Sequence, residues 1–336
     1  MKKIFLMLVV TFANILFADG VVNIYTSRHY DVDKKIYEEF EKQTGIKVNT
    51  VQNNDVNVLI KKMELEGKNT DADVFLTVGV GDLYRAKKLG LLQAVKSRVI
   101  EKNVPKWFRD KNNNWIGISY RARIFVYNPE KISANMLSTY EDLANPKWQG
   151  KILTRSSSSS YNQHLIAFMN AKNGEKNTIM WAKGLASNFA RDPKGNDRDQ
   201  AKEVFKGTGD VAIMNSYYMG RMSVSKDPFE NEVASKLKIF FPNQKDGGTH
   251  INLSGAGLTK YAKNKANAIK FIEFLTEKYA QKVISHENFE YPTNPKAEIS
   301  PVVKSWGTFK TSKIDFDLIG EKLSKSTSIA NEANWK

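Results

Sequence analysis

Strand-like and helix-like segments alternate at the start of the chain, and this alternation limits its fold more than any other feature. Short apolar runs predict the strands, and an apolar stripe at helical spacing, which ends at Gly45, predicts the first helix. Strands joined by helices in a βαβαβ order lie parallel, so we expect an α/β fold with mostly parallel sheets. The predicted elements are a strand over 21–26, a helix over 31–44, a strand over 46–51, a helix over 58–65 and a strand over 72–78.

The 336 residues are too many for one small core and suit two α/β lobes joined by a hinge. A strand-like run over 116–127 is expected to carry the chain from one lobe to the other. The expected N-terminal lobe comprises 19–118 and 242–292, and the expected C-terminal lobe 119–241 and 293–336. Further helices are predicted over 161–171, over 268–283 and in the tail over 315–335.

The first 18 residues have the pattern of a secretory signal peptide. Lys2 and Lys3 precede an apolar run over 4–17 that is too short to span a bilayer, and cleavage is expected after Ala18. A membrane anchor is the alternative interpretation. A lipid anchor on an N-terminal cysteine is excluded, because the chain has no Cys.

Charge and cysteine content exclude several kinds of protein. The formal net charge is +15, but Lys is interleaved with Glu along the predicted helices, which is typical of a solvated basic surface. We therefore expect no nucleic-acid partner. The lack of Cys excludes thiolate zinc, iron–sulfur and catalytic-thiol chemistry, so any metal must be held by nitrogen and oxygen.

Motifs of the common enzyme classes are missing from the sequence. It has no Gly-x-Ser-x-Gly, no His-Glu-x-x-His and no paired carboxylates at the ends of the predicted strands. Gly79-Val80-Gly81 is a weak match to a dinucleotide-binding turn, because the third glycine is missing. We therefore expect a binding protein and not an enzyme.

Aromatic side chains follow three predicted strands at the point where a helix begins. Such strand ends face the cleft of a two-lobed α/β protein, where ligands bind. Tyrosines that only pack, with the hydroxyl in water, are the alternative interpretation. The junctions are Ser27-Arg28-His29-Tyr30 after the first strand, Tyr161 after a strand over 151–154 and five serines, and Tyr217-Tyr218 after a strand over 210–214.

The residue types at these junctions favour a hard, highly charged cation. A phenolate is an anionic oxygen donor, and a bound trivalent ion lowers the pKa of a phenol from its usual value near ~10. Four phenolates and a neutral imidazole would complete a five-ligand site for Fe³⁺ that keeps one net negative charge. Arg28 and Arg121 are candidates to offset this charge, although Arg121 also suits a salt bridge between lobes, and Arg123 is a weaker candidate. Ser158 and Ser160 belong to a hydroxyl-rich helix N-terminus able to receive an anion.

Several motifs carry a resemblance when taken together, although each is weak singly. Through them the chain resembles the bacterial periplasmic ferric-ion-binding proteins of the Campylobacter type, with the cyanobacterial ferric-binding proteins as relatives. The motifs are Tyr25-Thr26-Ser27-Arg28-His29-Tyr30, Tyr120-Arg121-Ala122-Arg123 with Tyr127-Asn128-Pro129, Gly195-Asn196-Asp197-Arg198-Asp199 and Asn215-Ser216-Tyr217-Tyr218.

The resemblance implies a type II, transferrin-like periplasmic binding protein. Such a two-lobed clamp captures Fe³⁺ and delivers it, as a monomer, to an inner-membrane ABC permease. Relatives that bind a synergistic anion such as carbonate use nearby basic or hydroxyl groups, but here Tyr30 fills space that such an anion needs. A binding protein that holds a sugar or another small organic solute in an aromatic cleft is the alternative. The implied metal ligands are His29, Tyr30, Tyr161, Tyr217 and Tyr218.

Overall fold

The computed structural model describes residues 20–336, so the predicted signal peptide lies outside the described residues. The strands of this range are β1 Gly20–Thr26, β2 Ile46–Gln52, β3 Val74–Thr77, β4 Leu92–Gln93, β5 Ile116–Tyr127, β6 Ile152–Leu153, β7 Val211–Asn215, β8 Lys238–Phe240, β9 Ile251–Thr259 and β10 Tyr291–Pro292. The α-helices are α1 Asp31–Thr44, α2 Val56–Glu66, α3 Val80–Lys88, α4 Arg98–Asn103, α5 Ser160–Asn173, α6 Glu175–Ser187, α7 Asp197–Lys206, α8 Tyr217–Ser223, α9 Pro228–Lys236, α10 Lys265–Thr276, α11 Lys278–Asn288, α12 Pro301–Ser305, α13 Phe316–Lys322 and α14 Ser326–Glu332.

The strands follow one path in the order β2-β1-β3-β9-β5-β7-β6, with β4 on β9 and both β8 and β10 on β5. Strand β5 joins the two halves of this path, because residues 116–122 pair with β9 and residues 123–127 pair with β7. The single strand predicted over 116–127 is therefore confirmed, and it runs through both halves.

The expectation of mostly parallel sheets is wrong, and the sheet is mixed. Among the named strands of residues 20–336, those that pair in parallel are β1 with β2, β1 with β3, and β6 with β7. Strands β5 and β9 run antiparallel to their partners. The βαβ rule applies to strands joined by a helix in the same half. The rule does not apply to β5, which connects the two halves of the sheet path, or to β9, which re-enters one of them.

The first helix has the bounds predicted for it. Helix α1 buries Val32, Ile36 and Phe40 on one face and ends at Gly45, whose φ of 72° is left-handed. Glycine takes this conformation without the cost that a Cβ would add. This element is encoded locally, which is why the sequence predicts its ends.

Two helical predictions differ from the structure. The helix predicted over 268–283 is two helices, α10 and α11, separated at Glu277, whose backbone is extended. Tyr279, just after this break, is 42% exposed. Helix α3 begins directly after Gly79, where no helix was predicted.

The C-terminal tail is helical, as predicted, and lies against two other helices. Helix α13 contacts both α3 and α5. Asp317 forms an ion pair with Lys87 of α3 at 2.6 Å, and Gly320 lies so near Tyr84 that an added Cβ would stand 2.6 Å from that side chain. The tail thus joins elements of the two expected lobes. Across residues 20–336, every helix is too short or too polar to cross a membrane.

Candidate metal centre

The three predicted aromatic junctions lie at the carboxyl ends of strands. Strand β1 ends at Thr26, just before His29 and Tyr30, and β7 ends at Asn215, just before α8. Strand β6 runs parallel to β7, so the segment that leads to Tyr161 leaves the same edge of the sheet. The second and third junctions therefore share an edge of the sheet.

Three of the predicted phenols meet at one point. The hydroxyl oxygen of Tyr217 lies 3.5 Å from that of Tyr30 and 3.3 Å from that of Tyr161. Tyr30 and Tyr217 are buried, with 6% and 1% of their surfaces exposed. The Tyr218 ring packs on the Tyr217 ring at a centroid distance of 4.1 Å. Helix α8 begins at these two residues, and Ser216 before them is already helical, so the phenols issue from one turn.

His29 lies at the exposed side of this cluster. Its ring centroid is 4.9 Å from that of Tyr30. The Nδ1 atom stands 3.3 Å from the carbonyl oxygen of Ser27, which accepts a hydrogen bond when Nδ1 carries the proton. In that tautomer Nε2 keeps its lone pair, which is the arrangement of histidines that bind metals.

Burial and repulsion between neighbouring phenols favour the protonated form of Tyr30, Tyr217 and Tyr218. Burial, followed by the neighbouring Tyr161, raises the pKa of both Tyr30 and Tyr217 well above the usual value. Burial is also the main cause that raises the pKa of Tyr218. Arg121 opposes this rise in the pKa of Tyr30 and Tyr217, because its positive charge stabilises the phenolate.

A buried charge network lies behind Tyr30. The Arg28 guanidinium pairs with Asp33 at 2.9 Å and with Glu290 at 3.6 Å, and Arg121 pairs with the other oxygen of Glu290 at 3.5 Å. Burial raises the pKa of Glu290, but the two guanidinium groups, together with hydrogen bonds from Ser119 and Asn288, outweigh it and lower the pKa overall. Arg121 also donates to the hydroxyl of Ser254 at 2.6 Å. Both arginines are therefore fixed next to the cluster.

Neither carboxylate of this network was predicted from the sequence. Asp33 had a local signal, because an acidic residue three positions after a helix N-cap often bonds back to the cap, and its carboxylate lies 3.3 Å from the amide of Tyr30. Glu290 had none. It accepts a hydrogen bond from Ser119, 171 residues away, so only the fold brings it to the site.

Two further arginines, also missed, lie over the rings of the candidate ligands. The Arg155 guanidinium carbon is 5.4 Å from the ring centroid of Tyr161, and that of Arg221 is 5.8 Å from the ring centroid of Tyr30. Such contacts attract a cation to the face of the ring. They add positive charge around a site that would carry several phenolates.

The roles of Ser158 and Ser160 stay predictions. Both residues are exposed at the start of α5. The hydroxyl of Ser158 lies 2.9 Å from that of Ser156, and the carbonyl of Ser160 lies 2.6 Å from Nδ1 of His164.

The cluster consists of phenols and not of carboxylates. Within residues 20–336, His, Cys, Asp and Glu side chains form no group of three or more that is able to hold a metal ion. Oxygen donors of this kind suit hard cations of high charge. The arrangement can therefore hold a trivalent ion once the phenols lose their protons.

A family model of bacterial extracellular solute-binding proteins matches residues 69–317. The chain belongs to this family. Iron uptake protein A1 of Synechocystis is 44% identical to this solute-binding protein over 315 residues, which are 94% of the chain and 87% of the relative. The resemblance stated from the motifs is confirmed.

Solved structures agree with this assignment. The Trichodesmium protein IdiA (FutA), in complex with iron and citrate ligands, matches the solute-binding protein with a TM-score of 0.90 and 44% identity, over 94% of this chain and all of the other. The ferric binding protein from Campylobacter jejuni matches with a TM-score of 0.88 and 42% identity over the same shares. The α/β periplasmic binding protein fold is thereby confirmed.

Proposed function

We propose that this protein binds Fe³⁺ between its two lobes and carries it through the periplasm to an inner-membrane ABC permease. The proposed ligands are the phenolates of Tyr30, Tyr161, Tyr217 and Tyr218 and the imidazole of His29. The observation that carries the proposal is the meeting of three phenolic oxygens. Those of Tyr30 and Tyr161 both lie within 3.5 Å of the hydroxyl oxygen of Tyr217.

The charge around the cluster supports a trivalent cargo. Phenols repel one another when ionised, so four phenolates are stable together only around a highly charged cation. Arg121, which pairs with Glu290, favours the ionised form of Tyr30 and Tyr217, and Arg221 over the Tyr30 ring adds positive charge beside the site. The Synechocystis relative is an iron uptake protein and the Trichodesmium relative is in complex with iron and citrate, which agrees with this chemistry.

The division of the chain supports capture between lobes. We assign 19–118 with 242–292 to the N-terminal lobe and 119–241 with 293–336 to the C-terminal lobe. Tyr30 then belongs to the first lobe and the other three tyrosines to the second, so one ion bound by all four holds the lobes together. Rotation about a hinge is the usual motion of periplasmic binding proteins.

Colour tests the proposal directly. The mature protein, stripped of metal and then given one equivalent of Fe³⁺, should develop a phenolate-to-Fe³⁺ charge-transfer band and keep one iron per chain against a weak chelator. The matched control is the variant with Tyr217→Phe and Tyr218→Phe, which keeps both rings and removes two donor oxygens. A colourless wild-type protein that yields its iron as readily as the control would contradict the proposal, and a sugar-binding protein would behave in this way.

A further inference from the structure

One buried guanidinium connects the two segments that carry the C-terminal tyrosines. Arg123, at the start of the β7-paired part of β5, is 1% exposed. Its Nη1 donates to Asp197 at 2.8 Å and lies 3.3 Å from the side-chain oxygen of Asn215. Its Nη2 donates to the side-chain oxygen of Asn162 at 2.6 Å. Three segments distant in sequence thus converge on one side chain.

Each of these partners stands next to a candidate ligand. Asn162 directly follows Tyr161 and is fully buried. Its amide nitrogen donates to the carbonyl oxygens of Arg155 and Ser156 at 2.7 and 3.1 Å, which fixes the turn that leads to Tyr161. Asn215 is the last residue of β7, two positions before Tyr217. The guanidinium therefore sets the distance between the two turns.

Asp197 completes the arrangement from the N-terminus of α7. Its carboxylate is fully buried and accepts hydrogen bonds from Arg123 and from the backbone amide of Asn215 at 2.9 Å. Its other oxygen lies 3.5 Å from Arg155, whose guanidinium lies over the Tyr161 ring. The carboxylate is thus in contact with both turns.

We propose that Arg123 and Asp197 are positioning residues, which hold Tyr161 in register with Tyr217 and Tyr218 before the metal arrives. The inference rests on the proposed function, because it concerns the ligands of that site. A buried ion pair contributes little net stability when compared with apolar packing, so its conformational role explains its presence better than stability does. Ligands that are fixed in advance bind more tightly, because less freedom is lost on binding.

The test compares variants in iron affinity, measured by chelator competition, and in the position of the charge-transfer band. Asp197→Asn should lose about 10 to 100-fold in affinity and shift the band. Arg123→Lys should also lose affinity, because one ammonium cannot contact Asp197, Asn162 and Asn215 in the geometry of a guanidinium. Asn162→Ala leaves the ion pair intact and removes only the link to the Tyr161 turn. Asn162→Ala should also shift the band. If the Asp197 and Arg123 variants do not fold, the result for Asn162→Ala tests the inference.

Asp73→Asn is the matched control. Asp73 is also fully buried and accepts backbone hydrogen bonds from Asn23 and Asn264 at 2.9 and 2.8 Å, but neither partner adjoins Tyr161, Tyr217 or Tyr218. It should lower the stability of the metal-free protein and leave the band unchanged.

The inference is overturned if the wild type binds iron and the folded variants of Asp197, Arg123 and Asn162 keep its affinity and band. The inference is also overturned if Asp73→Asn changes the iron affinity and the band as much as the variants of Asp197, Arg123 and Asn162 do. A wild type that binds no iron overturns the proposed function, and the inference with it.

Discussion

The hydroxyl oxygens of Tyr30 and Tyr217 lie 3.5 Å apart, although 187 residues separate them in the chain. One follows β1 and the other follows β7, at opposite halves of the sheet path. The proposed cation site lies at this contact.

Loss of a phenolate should cost more than loss of the imidazole. Tyr217→Phe or Tyr218→Phe removes an anionic oxygen, whereas His29→Ala removes a neutral nitrogen at the exposed edge of the cluster, where water can replace it. We expect the tyrosine variants to lose at least the ~10 to 100-fold in iron affinity that is typical of outer-shell changes, with a shifted or bleached band. His29→Ala should keep a coloured, weaker complex.

These variants are compared by iron retention against a series of chelators. Tyr279→Phe is the control, because Tyr279 is a partly exposed tyrosine on α11 and should behave as wild type. If His29→Ala releases iron first while both phenylalanine variants stay coloured, the phenolates are not the core of the site.

Iron should be released in acid. Burial raises the pKa of Tyr30 and Tyr217 above the usual value, so these phenols are protonated in the metal-free protein at neutral pH and must lose their protons to Fe³⁺. Binding therefore releases protons, and affinity falls as pH falls, by about tenfold per pH unit for each proton exchanged. Titration of the band from pH 8 into the acid range, with circular dichroism to confirm that the fold persists, measures this slope. A flat profile would rule out phenolate ligands.

Fe³⁺ should favour the compact arrangement in which Tyr30 meets Tyr217. An ion bound by ligands from both lobes draws them together, so small-angle scattering should give a smaller radius of gyration with Fe³⁺ than without it. The control is the double variant Tyr217→Phe with Tyr218→Phe, which should not contract when iron is added. Equal radii for the metal-free and ferric wild type would argue against closure.

Glu290→Gln should destabilise the metal-free protein. Glu290 is fully buried between Arg28 and Arg121, and its loss leaves two buried guanidinium groups near each other without their shared carboxylate. Removal of one partner from a buried ion pair costs about 3–5 kcal/mol of the free energy of unfolding. Denaturant unfolding measures this loss. Glu298→Gln, which removes an exposed partner of Lys282, should leave the midpoint unchanged, and equal effects of the two changes would contradict the prediction.

Local patterns predicted much of the chain because they depend on neighbours in sequence. The stripe of Val32, Ile36 and Phe40 and the stop at Gly45 define α1, and the strand ends that carry Tyr30 and Tyr217 lie where predicted. The same patterns missed the break at Glu277, because both sides of it share one helical period.

The sequence by itself determined which side chains stand at the strand ends, and so the chemistry that the site can perform. Tertiary structure decided the mixed sheet, the approach of Tyr30 to Tyr217 and the placement of Glu290 between Arg28 and Arg121. The side-chain contacts among these residues join positions that are 169 or more apart in the printed sequence. No local periodicity encodes such contacts, because they form only when whole elements pack together and bury their apolar faces.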